Sequence, residues 1–102
     1  MDRATVLAKD ADCLLNAVVS LSAPGRAGRD FDKLLAQARD HADKCVRHAA
    51  ALAGDPPVGR YRDALTYAEW LRAALLGHGG GGSPLDLQIV VQQARYLRNA
   101  LG

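Results

Sequence analysis

Residues 30–59 read DFDKLLAQARDHADKCVRHAAALAGDPPVG, and the spacing of their apolar positions decides the fold. Phe31, Leu34, Leu35, Ala38, Ala42, Cys45, Ala49 and Leu52 recur at three- and four-residue intervals, the repeat that lines one face of an α-helix. Asp30 stands where an N-cap belongs. Gly54 follows the last apolar position and Pro56 lies just beyond it, so the helix has a stop as well as a start.

The same punctuation recurs on both sides. SAPGRAGR (22–29), GDPPVG (54–59) and GHGGGGSP (77–84) break the chain into four periodic segments. The first has Asp2 as its cap and repeats Leu7, Ala11, Leu14, Val18 and Leu21. The third repeats Tyr61, Leu65, Ala68, Leu71 and Leu75, and ends at Gly77. The fourth opens with Ser83 as cap, Pro84 at the first helical position and Asp86 at the positive end of the helix dipole. Its inner face is Leu87, Val90, Val91, Ala94, Leu97 and Leu101. The spacing predicts helices over about 2–22, 30–53, 58–76 and 84–101 in one domain, 1–102. Alternating strand patterns and internal repeats are absent, and short connections between amphipathic helices favour antiparallel neighbours. The expected fold is all-α, an up-down antiparallel four-helix bundle.

The totals exclude several occupations. At 102 residues the chain can bury one core, and its 49% hydrophobic and 24% charged residues are those of a globular domain. A formal charge of +2, with the arginines interleaved among aspartates, does not make a phosphate-tracking stripe, so no nucleic-acid partner is expected. No apolar run approaches the ~20 residues of a membrane span. Residues 1–22 carry charges throughout and lack a signal-peptide core. Two cysteines, Cys13 and Cys45, make no disulfide framework, and a reducing cytosol is the expected location.

Chemistry is sparse. Glu69 is the lone glutamate and has no histidine three residues later, which excludes a carboxylate-bridged dinuclear centre of the usual kind. The glycine-rich loop at 77–84 lacks the lysine and Ser/Thr of a P-loop. No enzyme and no cofactor is expected. The exception worth weighing is His41, Cys45 and His48, which fall within about 60° of one another on helix two and carry ligands suited to zinc, copper or haem. Cys13 comes level with them in a helical hairpin, yet projects roughly 140–150° from the centre of its own apolar stripe, beside Lys9, Asn16 and Ser20. In the simpler alternative, Cys45 is a core residue and the two histidines flank it at the edge of the stripe.

The run HADKC (41–45) also resembles the phosphate-accepting segment of histidine phosphotransfer domains, themselves four-helix bundles. The resemblance implies a phosphorylated histidine at His41 and a charge-neutralising lysine at Lys44. Cys45 stands where that family has a small glycine, and Asp43 where it has an apolar residue.

Helices three and four carry more apolar surface than one inner face uses. Trp70 points roughly 160° from Ala68, with Tyr67 and Ala74 near it; Ile89 and Tyr96 point about 140–160° from Ala94, with Leu85 and Ala100 nearby. Two adjacent outer rows, each with an aromatic ring, suggest a contact surface. The chain is therefore expected to be a small interaction or regulatory module that pairs as a homodimer through helices three and four, or binds another protein there.

Overall fold

The computed structural model describes residues 2–22, 30–77 and 87–101. Four helices account for most of them: α1 (Arg3–Ser22), α2 (Phe31–Ala53), α3 (Gly59–Gly77) and α4 (Leu87–Leu101). The first begins as expected. The Asp2 carboxylate accepts the backbone N–H of Thr5 at 2.8 Å, satisfying a donor that has no partner inside the helix. That bond holds the Asp2 carboxyl below its ordinary range.

Asp30 behaves differently. It precedes α2, but its side chain makes no capping bond; its carbonyl accepts the Leu34 N–H at 2.8 Å instead. At φ −97°, ψ 0° the Asp30 backbone is already helical, whereas a capping side chain reaches back from an extended backbone. At the other end, Gly54 takes φ +85°, a conformation that favours glycine, and its N–H bonds to the Ala50 carbonyl at 3.3 Å. The expected cap of the fourth helix (Ser83, Pro84 and Asp86) lies outside the described residues, as does the glycine run before it.

Each helix packs against its neighbour in sequence, and α1 closes the square against α4. The result is the up-down four-helix bundle. The periodic residues meet at its centre: Leu7, Ala11, Leu14, Val18 and Leu21 from α1, and Val90, Ala94 and Leu97 from α4, are all buried. From α2 the inner face is small, with Ala38, Ala42, Cys45 and Ala49 fully covered. On α3 the buried stripe is Ala64, Ala68, Leu71 and Leu75, while Tyr61 and Leu65 are only half-buried. It is therefore rotated toward Ala64 relative to the expected face. No polar or charged residue is buried among those described.

Polar contacts fasten the seams from outside. Arg98 of α4 pairs with Asp12 of α1. Arg72 of α3 lies 3.6 Å from Asp43 of α2. The Arg39 Nε donates to the Leu75 carbonyl at 2.8 Å, bringing a cation to the negative end of α3. Among the described residues, no helix is long and apolar enough to cross a membrane.

Candidate functional site

Two outer faces concentrate the unusual residues, and the square arrangement puts them on opposite sides of the bundle. The first is the seam between α1 and α2. Asp10 projects from the flank of α1 that faces α2 and meets both histidines of that helix. One carboxylate oxygen is 3.4 Å from His41 Nδ1 and the other 3.8 Å from His48 Nε2. The Asp10 side chain is 14% exposed, and the two imidazoles 25% and 26%. His41 and His48 are seven residues, about two turns, apart, so a single carboxylate between them can serve both. His48 Nδ1 is buried and lacks a partner among the described residues.

Cys45 lies on the inner side of this pair, at 0% exposure. Burial above all pushes its thiol up to about 12, with the nearby Asp10 carboxylate adding in the same direction. A thiol so placed stays protonated at neutral pH, and it is the thiolate that binds metals. His41, Cys45 and His48 share the α2 flank as expected. Among the described residues, however, no three His, Cys, Asp or Glu side chains are grouped so that they could hold a metal ion. The surroundings of His41 also differ from the phosphotransfer pattern. Asp10 sits beside its ring, and Lys44 is occupied by Asp40 at 3.0 Å.

Cys13 lies on the flank of α1 that the sequence assigned it, beside Asn16 and Ser20. It is half-buried there, next to residues of α2. An open depression of about 280 Å³ is lined there by Cys13, Asn16, Ala17, Ser20, Leu34, Gln37 and His41. Distance from the centre of a stripe does not tell which flank a neighbouring helix covers, and here α2 covers the flank carrying Asp10 and Cys13. The unread signal was that pair, three residues apart on one side of α1.

The second face is the outer seam of α3 and α4. The rings of Tyr67 and Tyr96 meet across it, with centroids 5.8 Å apart and planes tilted by 43°. The Gln92 side-chain amide donates to the Tyr96 hydroxyl at 2.8 Å. Trp70 remains 41% exposed, Ile89 42% and Tyr96 41%. Tyr67, Ala74 and Ala100 point outward less than the wheel suggested: all are half-buried, and Tyr67 and Ala100 pack against the core. The antiparallel neighbour accounts for this, since each helix shelters the near flank of the other. Leu85 lies outside the described residues. Val19, Val58 and Leu76 are also exposed, but the α3–α4 face is distinguished by rings from two helices in contact.

No protein-family model matches the chain, and no curated protein or solved structure matches it.

Proposed function

We propose that the chain is a small interaction module of regulatory type that pairs with a second copy of itself through the outer face of α3 and α4. The observation that supports this is the row of rings: Tyr67 against Tyr96, with Trp70 and Ile89 each about two-fifths exposed beside them. Tyrosine and tryptophan bury large areas at low cost in side-chain entropy, and they are enriched at the centres of interfaces. A patch that meets its own copy across a two-fold axis is self-complementary in composition and leaves no open end. Trp70 is the anchor in this arrangement, with Tyr67, Ala74, Ile89, Tyr96 and Ala100 around it. The cytosolic location expected from the two unpaired cysteines belongs to the same proposal.

Sedimentation equilibrium tests it. The wild-type chain is expected as a species of twice its 10.8 kDa mass, and a Tyr67→Glu, Trp70→Glu double variant as a folded single chain. A wild type that remains a single chain at high micromolar concentration removes self-association. A surface for a different protein is then left to explain the rings.

A further inference from the structure

The flank of α1 that faces α2 sets one carboxylate between two imidazoles. Asp10 is largely covered, and its oxygens divide between the rings: Oδ1 is 3.4 Å from His41 Nδ1, and Oδ2 is 3.8 Å from His48 Nε2. An ionised carboxylate only accepts, so the nitrogen that each ring turns toward it is the one that carries the proton. A second proton on a ring converts such a contact into a charge-assisted bond, roughly twice as strong. The two rings differ in where that second proton would go. His41 borders an open depression, where water reaches the ring. His48 would have to place the proton on Nδ1, which is buried and has no partner among the described residues. A charged N–H sealed from any acceptor bears the full cost of its desolvation. The other titratable groups around the carboxylate are Cys13 of α1 and Lys44 and Cys45 of α2. Lys44 is held by Asp40 at 3.0 Å, and the Cys45 thiol keeps its proton through neutral pH. α3 makes no contact with α1, and α4 meets α1 on the far flank, where Arg98 reaches Asp12.

We infer that Asp10, His41 and His48 form a proton-operated latch across the α1–α2 seam, in which His41 is the responsive ring and His48 the fixed one. On the alkaline side of neutrality, two uncharged rings hold the carboxylate. Imidazoles as a class take up a second proton around pH 6.5, and carboxylates take one around pH 3.9. Between those ranges a charged His41 faces an ionised Asp10, and their contact becomes an ion pair. Mild acid therefore ties α1 to α2 more firmly, and stronger acid undoes the latch by neutralising the carboxylate. Histidine is the side chain whose charge changes across physiological pH, so the firmness of this seam follows the acidity of its surroundings. The apolar rings lie on the other seam, and the latch does not depend on pairing.

The test is a double-mutant cycle on the full chain, Asp10→Asn with His41→Gln, by urea denaturation of dilute protein at about pH 5.5 and about pH 7.5. The coupling between the two residues, read as a ratio of unfolding constants, should be about 5-fold larger at the acid pH, the step from a neutral to a charge-assisted hydrogen bond. The same cycle with His48→Gln should give a coupling that does not grow in acid. Ring-carbon resonances of the wild type, which need no variant, should show a charged His41 at the acid pH. If His41→Gln fails to fold by circular dichroism, those resonances and the acid-side growth in the cost of Asp10→Asn decide. A coupling to His41 that is equal at the two pH values overturns the inference. So does a His41 ring still neutral in mild acid, or an acid-side gain that belongs to His48 instead.

Discussion

The α1–α2 and α3–α4 seams begin from the same problem and end differently. Both are flanks of antiparallel helix pairs, and both hold side chains that the central core cannot take in. On the first, the leftover groups are polar and find one another: Asp10 stands between His41 and His48. On the second they are apolar, and Tyr67 and Tyr96 cover each other only in part, leaving Trp70 and Ile89 about two-fifths exposed. Polar groups can be satisfied pairwise within one chain, whereas a broad apolar surface needs a second surface to leave water. The contrast lies in what each seam leaves over: one buried imidazole nitrogen, His48 Nδ1, on the first, and partly exposed apolar side chains on the second.

If the contrast holds, the largest effect comes from breaking the apolar face. At a concentration about 100 times the dimer dissociation constant, pairing stabilises the fold by about 2.7 kcal/mol. The melting temperature of the wild type should therefore rise with protein concentration, and that of Tyr67→Glu, Trp70→Glu should not; calorimetry over a dilution series checks this. Next comes the polar face. Asp10→Ala leaves two partly buried imidazoles without their acceptor and should lower stability by about 1–3 kcal/mol in urea denaturation. Trp70→Ala in dilute protein should cost about 1 kcal/mol or less.

A fourth test uses alkali. The Cys45 thiol is pushed up to about 12 from an ordinary 9.0, so the unfolded chain loses this proton before the folded one does. The contribution is intact below pH 9 and is lost as pH rises toward about 12. Cys45→Ala should lack that component, and the difference between the two pH–stability curves measures it. The smallest effect belongs to the exposed pair of Arg98 and Asp12. Removing it with Arg98→Gln and Asp12→Asn should change stability by less than about 1 kcal/mol, with an interaction energy that shrinks further in salt.

Most of the helical framework was legible because it rests on local chemistry. Period and punctuation placed α1 and α2 to within a residue of their observed ends, and the inner stripe of α4 contains all its buried residues and that of α1 all but Ala17. What escaped depends on relations between helices. The rotation of α3 toward Ala64 is set by how it seats between α2 and α4, a choice its own wheel leaves open. The partner of His41 and His48 was invisible for the same reason. Asp10 is 31 residues from His41, and the register that aligns them belongs to the hairpin rather than to either segment. That α2 covers the flank carrying Cys13, Asn16 and Ser20 was unread because a stripe has two flanks and periodicity cannot say which one a neighbour occupies. The ring pair was legible only as two separate rows; their contact across the seam is a tertiary fact.

One of the seam contacts has a mechanical consequence. The Arg39 guanidinium grips the Leu75 carbonyl two residues before α3 ends. A tug on the chain beyond Gly77 is therefore resisted by α2 as well as by the last turn of α3 itself. Fraying there must first release the guanidinium, so amides in that turn should exchange with solvent more slowly than those at a helix end held only by its own backbone.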